Sequence, residues 1–339
     1  MTATDADSPP ERFTPTRRAF ETRDPEAGRA FMNAVYGTSL RMSGNNEDQL
    51  IRHSRYDLGP FCLDDMTLPM DAEYVAEPLE HLAVIQIHSG WSEHRPTDAA
   101  DQVLPGDHER IGPDDINIIA QPDRPFSARA SNLGFSGVLL DMPLVMRTAG
   151  IGEDAPTGPI RFSRLEPPSQ ADADRWRNSY DYVREVLETE FDAMSEPLVR
   201  GDSARLLAAC ALETFPNSAV PEPTSKDTRD ATPLTVRKAL AFIGENAGAD
   251  IGPAEIAAAV RVSPRALQLA FARHHDTSVL GQVHRVRLDR AHFELLAADP
   301  AGGATVPRIA ARWGFAKPGG FRTLYRNIYG VSPSETLAR

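Results

Sequence analysis

Cysteine is almost absent, with only Cys62 and Cys210 among 339 residues. Two distant thiols build neither a disulfide framework nor a cysteine zinc site, so a reducing, cytoplasmic setting is expected. No uncharged apolar run approaches the ~18 residues of a membrane-spanning helix, and no membrane partner is expected. The opening stretch, MTATDADSPPERF, is acidic and lacks the apolar core of a secretory signal. Several chemical signatures are also missing. There is no Gly-x-Gly-x-x-Gly and no phosphate-cradling Gly-Lys-Ser/Thr loop. Gly134-Phe135-Ser136-Gly137 and Gly201-Asp202-Ser203 both fall short of a nucleophile elbow. No His-x-His occurs, so His81, His88, His94 and His108 do not form the strand motif of a cupin metal site. Paired acids such as Asp64-Asp65 and Asp114-Asp115 need no catalytic role. No catalytic residue, metal or cofactor is therefore expected.

Positive charge is scarce overall: 36 Lys and Arg face 48 Asp and Glu, a net charge of −12. That average argues against nucleic acid, but the distribution is uneven. Thr232 to Arg339 hold 14 basic against 8 acidic side chains, a balance of +6, and the preceding 231 residues hold 22 against 40, a balance of −18. A basic module is carried by an acidic one. Phosphates are drawn to the first and repelled by the second.

The length suits two domains, and the local patterns divide accordingly. Residues 1–12 are expected to be disordered, and 13–215 to form the acidic domain. Asp24-Pro25-Glu26 opens a helix that runs to Gly37. Short apolar runs then follow, among them Phe61–Met66, Leu82–His88, Ile116–Ala120 and Phe135–Leu140, separated by Gly, Pro and Asp. Strands so spaced predict a β-sandwich or small barrel. Trp91, after Gly90, could line a pocket or sit in the core. From 169 to 215 the pattern is helical: Trp176, Tyr180, Val183 and Leu187 recur at three- and four-residue steps, and Leu198, Leu206, Leu207 and Cys210 do so less regularly. Residues 216–233, with four prolines, read as a linker. Residues 234–339 read as all helix.

The sharpest pattern is an internal repeat. Ile256, Ala257, Val260, Val262 and Leu267 have the spacing of a helix-turn-helix, with Ala257 as the small residue where two helices cross. Ser263-Pro264 supplies a cap and a first-turn proline for the second helix. Ile309, Ala310, Trp313, Phe315 and Phe321 repeat the pattern with one extra turn residue. Beyond it, Leu267 and Phe321, Phe271 and Tyr325, and Ser278 and Ser332 all lie 54 residues apart. Two copies of one spacing are a stronger signal than either alone. Gly281–Ala297, with Val283, Val286, Ala291 and Leu295 as its apolar stripe and Arg285, Arg287, Asp289 and Arg290 interleaved, predicts a helix joining the halves. Rigid joining would let two reader helices enter successive major grooves about 34 Å apart.

The C-terminal 100 or so residues resemble the AraC/XylS family of bacterial transcription regulators. The resemblance rests on Ser263-x-Arg265-x-Leu267-Gln268-x-x-Phe271, Arg287-Leu288-x-x-Ala291, and Ile309-Ala310-x-x-x-Gly314-Phe315. Phe321-x-x-x-Tyr325-Arg326-x-x-x-Gly330-Val331-Ser332-Pro333 completes it. The first 215 residues are similar, less specifically, to the cupin-like sensor domain common in that family. The resemblance implies an α+β sensor with a β-barrel core, then a tandem helix-turn-helix that binds promoter DNA. It further implies a homodimer, a small effector or dimerisation control, an RNA polymerase partner, and activation as the output. Asp276 and Val279 depart from the family's usual Gly and frequent Pro, and Leu269 stands where Arg is frequent.

The expected core residues are Ile256, Ala257, Val260, Leu267 and Phe271 in the first copy. In the second they are Ile309, Ala310, Trp313, Phe315, Phe321 and Tyr325. Base reading falls to Arg265, Gln268, Leu269 and Thr323, because Arg pairs bidentately with guanine and Gln with adenine. Phosphate contact falls to Ser263, Arg273, Arg287, Lys317, Arg322 and Arg326. Gly319-Gly320 leaves the second reader's first turn without side chains, so the two readers are expected to be uneven. Two alternatives stay open: a regulator controlled by a protein partner, and an enzyme with a catalytic barrel.

Overall fold

The computed structural model describes residues 13–36, 38–43, 49–96, 110–151, 160–219 and 225–338. Residues 1–12, His108, Gly37 and the middle of the expected linker lie outside them.

The acidic part is built on one antiparallel sheet. In chain order it comprises β1 (Thr16–Thr22), α1 (Pro25–Tyr36), β2 (Thr38–Ser43), β3 (Ile51–Asp57), β4 (Phe61–Ala76) and β5 (His81–Pro96). After these come β6 (Arg110–Ile111), β7 (Ile116–Ile118) and β8 (Phe126–Asp141). The spatial order is β1-β3-β4-β8-β5-β6, with β2 beside β4 and β7 beside β5. Three strands run 16 residues each, far longer than the apolar runs in the sequence suggest. They are long because both faces are covered. Leu82, Val84, Val138 and Leu140 pack against helices on one face, while Ile85, Ile87 and Leu133 turn to the other. The strands outrun the apolar runs of the sequence because their later halves alternate buried and exposed positions, as in Met70-Asp71-Ala72-Glu73.

The expected closed barrel is not formed. Among the described residues no pairing joins the first strand of the sheet order to the last. Edge strand β1 exposes five of its seven residues, and the charged side chains among them, Arg17, Arg18 and Glu21, suit an edge left unpaired.

α2 (Met142–Thr148), α3 (Gln170–Thr189) and α4 (Pro197–Thr214) follow the sheet. α3 starts where Ser169 Oγ accepts from the Asp172 amide, and it buries Trp176, Tyr180, Val183 and Leu187 against the sheet, as its periodicity predicts. α4 reads less regularly because it packs on several neighbours at once, α2 and α3 in the acidic part and a helix of the basic part.

Residues 216–219 and 225–233 of the expected linker lie within the described residues and pack against the parts they join. Asn217 bridges to Phe162, and Ala219 joins the core of the acidic part. α5 (Ser225–Asp230) then belongs to the basic part, packing on the first reader helix. Prolines broke the pattern, but long-range partners ordered the chain.

The basic part contains α6 (Pro233–Asn246), α7 (Pro253–Val260), α8 (Pro264–His274), α9 (Val279–Ala297), α10 (Val306–Arg312), α11 (Pro318–Tyr329) and α12 (Pro333–Leu337). It has two cores. Ile256, Leu267, Phe271, Val279 and Val283 form the first. Leu288, Ala291, Leu295, Ile309, Phe321 and Tyr325 form the second. α9 supplies one half to each, so it is the rigid joint that the repeat called for.

Gly90 marks a β-bulge where β5 shifts register against β8. Its φ is +67°, and a Cβ there would overlap the carbonyls of Ser131 and Asn132. Gly90→Ala is expected to cost at least ~1–3 kcal/mol, read as a lower denaturation midpoint with an unchanged m-value.

Candidate nucleic-acid interface

Each reader helix is set by its own capping chemistry. In the first unit, α7 ends at Arg261 in the left-handed conformation, φ 60°. The Val262 amide returns to the Ala257 carbonyl at 3.0 Å, which sharpens the turn. Ser263 Oγ then accepts from the Ala266 amide at 3.0 Å, and Pro264 opens α8. Ala266, Leu267, Ala270 and Phe271 face inward, which leaves Arg265 and Gln268 exposed on the opposite side. The guanidinium of Arg265 makes no hydrogen bond or ion pair with the described residues.

In the second unit, Thr305 caps α10. Gly314, at φ +87°, turns the chain, and the Phe315 amide reaches the Ala310 carbonyl at 2.9 Å. α11 begins at Pro318 and buries Phe321 and Tyr325. Arg322, Thr323 and Arg326 are exposed, as are Gly319 and Gly320. Thr323 Oγ1 donates to the Gly319 carbonyl at 3.1 Å, so its hydroxyl keeps only acceptor capacity toward a base. Val260, Trp313 and Phe315, expected in the core, are half-buried at its margin.

Four expected contacts stand differently. Arg287 is fully buried. Its Nε donates to the Ala247 carbonyl at 3.0 Å, its Nη2 to Ala249 at 3.2 Å, and its Nη1 to Asp202 at 2.9 Å. A guanidinium so enclosed cannot reach a phosphate, and that assignment is corrected. Ser263 is also corrected, because its hydroxyl donates to the Asp227 carboxylate while it accepts from Ala266. Its one donor hydrogen is spent inside the fold, and a phosphate oxygen can only accept. Leu269 is half-buried against the first core, since an apolar side chain on a helix flank packs rather than projects. The Lys317 ammonium is paired with Glu185 of α3.

The sequence missed several positioning groups. Tyr325 Oη donates to Thr336 Oγ1 at 2.9 Å and lies 2.5 Å from His292 Nδ1. Trp313 Nε1 donates to Glu294 at 2.7 Å. Tyr329 Oη donates to Asp289 at 2.5 Å. These bonds pin α11 and the α10–α11 turn to α9. Only the need of a buried hydroxyl or indole for a partner could have pointed to them.

Asp202 of α4 is the other missed group. It meets Arg205 at 2.6 Å and His284 at 3.5 Å, besides Arg287. Burial alone would raise its pKa, but His284, Arg287 and Arg205 bring it down to about 2. It is therefore charged throughout the neutral range.

The acidic part holds an apolar cavity of about 70 Å³ between the sheet and α1, lined by Met32, Tyr36, Leu68, His94, Phe126 and Leu133 among others. Burial pushes the His94 imidazole down to about 4, so it is neutral. Behind Tyr36, whose Oη donates to Asp64 at 2.7 Å, the Arg55 guanidinium donates twice to the same carboxylate, at 2.7 and 2.6 Å. Burial would raise the pKa of Asp64, yet these bonds hold it below the usual value. Trp91 is half-buried beneath Arg110, whose guanidinium carbon lies 3.8 Å from the ring centroid. Among the described residues no three His, Cys, Asp or Glu side chains gather as metal ligands.

A helix-turn-helix domain family matches residues 256–339. The probable thc operon regulatory protein of Rhodococcus erythropolis is 38% identical over 111 residues, 33% of each chain, so that match spans about a third of the relative's length. The XylDLEGF operon transcriptional activator 1 of Pseudomonas putida is 24% identical over 327 residues, 94% of each chain. Among solved structures, the AraC-like transcriptional activator CuxR aligns at 18% identity with a TM-score of 0.40, covering 89% of this chain and 100% of that one. Over its C-terminal residues 256–339 the chain is similar to helix-turn-helix transcription regulators.

Proposed function

We propose that the protein is a sequence-specific DNA-binding transcription regulator that acts as an activator at a promoter, in concert with RNA polymerase. The observation that carries this reading is the first reader helix. Leu267 and Phe271 anchor it in the core, while Arg265 and Gln268 project from its outer face. Those two side chains can bond to guanine and adenine edges. Arg322 and Arg326 on α11 and Arg273 at the end of α8 are exposed and supply phosphate neutralisation. Thr323 is the one base-facing side chain assigned to the second reader, so most sequence choice rests with the first.

The acidic domain is proposed to act as the sensor and as the dimerisation unit. The apolar cavity supports control by a small molecule. Its lining is almost wholly apolar, and its imidazole is neutral. An uncharged apolar ligand with one hydrogen-bonding group suits that lining, because a buried charge would find no counter-charge there. Control by a protein partner would instead leave the cavity without a ligand.

Duplex selection from a randomised pool, followed by anisotropy titration, tests the reading. Arg265→Ala should lose ~1–3 kcal/mol of discrimination at one base position. Arg322→Ala should weaken all duplexes alike and reduce the slope of log K against log salt by about 0.9. Loss of general affinity alone in both variants would refute the base-reading assignment. For the sensor, uncharged apolar compounds should raise the Tm of the wild type, and Leu133→Trp, which fills the cavity, should abolish that shift while the protein remains folded by circular dichroism.

A further inference from the structure

Part of the first reader's support comes from outside the helix-turn-helix. α5 precedes the residues that the helix-turn-helix family matches, yet it packs along α8. Its sequence, Ser225-Lys226-Asp227-Thr228-Arg229-Asp230, has no large apolar side chain, so hydrophobic burial does not hold it in place. Polar contacts with the reader do. At the start of α8 the Ser263 hydroxyl donates to the Asp227 carboxylate. At the other end Arg273 Nη1 donates to the Thr228 carbonyl at 3.5 Å, and His274 Nε2 to the Ala231 carbonyl at 3.3 Å. Asp227 is the one buried residue of α5, and a carboxylate is buried only where it is bonded.

We propose that Asp227 is a positioning residue for base reading. It acts through Ser263 to hold the first turn of α8, and it touches no base itself. The proposal rests on the DNA-binding reading given above. As the N-cap, Ser263 Oγ accepts from the Ala266 amide at 3.0 Å. A freely rotating hydroxyl would turn its hydrogen toward that amide for part of the time. Donation to Asp227 fixes the rotor and keeps a lone pair on the amide. The carboxylate also stands at the N-terminal end of α8, where the helix dipole favours negative charge. Reader helices present their N-terminal residues to the bases, and Arg265 and Gln268 leave α8 within this capped stretch. A bidentate contact tolerates little displacement, so a looser first turn loses base choice before it loses attraction to phosphates. The exposed Arg322 and Arg326 lie on the other reader. Asp227 therefore governs preference among duplexes and leaves the salt dependence alone.

The test uses the full chain as wild type, Asp227→Ala, Asp227→Asn, Ser263→Ala, the double variant Asp227→Ala/Ser263→Ala, and Lys226→Gln. Ala and Asn remove the same charge from position 227, but only Asn keeps an acceptor for the Ser263 hydroxyl. Their difference therefore reports the hydrogen bond. Lys226 is an exposed control on the same helix. Anisotropy gives the affinity ratio between the selected duplex and one altered at the base pair that Arg265→Ala ceases to distinguish. Amide exchange without DNA reads the first turn of α8. Asp227→Ala is expected to lower the ratio about three- to tenfold, a part of what a bidentate contact supplies, with faster exchange at residues 265–267 and an unchanged salt slope. Asp227→Asn should restore most of the ratio. The double variant should lose no more than Ser263→Ala alone, because both changes break one bond. Lys226→Gln should keep the wild-type ratio. An unchanged ratio in Asp227→Ala, even with a lower Tm, overturns the proposal. So does an equal loss in Asp227→Asn, or a double variant in which the two losses add. A wild type that prefers no duplex would refute the base-reading assignment itself, and the proposal with it.

Discussion

A single buried guanidinium fixes how the molecule is put together. Arg287 is wholly enclosed, and its donors are taken by two backbone carbonyls just past the end of α6 and by the carboxylate of Asp202 on α4. A buried charge left unpaired costs several kcal/mol, so these partners cannot drift apart independently. This side chain therefore ties the joining helix α9 to α6 and, together with the Lys317–Glu185 and Arg205–Asp250 pairs, ties the basic part to the acidic part. Gly314 completes the constraint. A Cβ there would crowd Asp202 at 3.0 Å and Arg287 at 3.3 Å, so the turn before the second reader also depends on this point.

Around that point the basic part is organised as two small cores on one rod. α9 gives Val279 and Val283 to the first and Leu288, Ala291 and Leu295 to the second. Neither half can rotate freely, because Leu267 and Phe271 in one and Phe321 and Tyr325 in the other pack into a core shared with their own stretch of α9. The two readers are nonetheless unlike in chemistry. The first carries long hydrogen-bonding side chains. The second begins with two exposed glycines, which cost helix stability and offer no group to a base.

Much of the basic part was legible because its signals are local. The Ser263 cap, the first-turn Pro264, and the helical spacing of Leu267 with Phe271 and Phe321 with Tyr325 act within a turn or two. The bounds of α9 and the inward face of α8 followed from them. The outward placement of Arg265 and Gln268 followed too, since a helix that buries one stripe must expose the other. Sensor helix α3 was legible for the same reason. α4 was less so, because it meets several neighbours.

The sequence by itself placed α3, the two reader helices and the helix joining them, the stripe that each reader buries, and a basic tandem unit after an acidic one. Those are consequences of backbone geometry and of charge, readable from neighbours along the chain. Only the tertiary structure decided that Arg287 is buried, that Ser263 and Lys317 are spoken for, that the sheet stays open, and that half of the proline-rich stretch folds with the basic part. Each of these depends on a partner far away in sequence, as Asp202 lies 85 residues from Arg287. A charged side chain takes its role from what faces it across the fold, and no spacing along the chain records that.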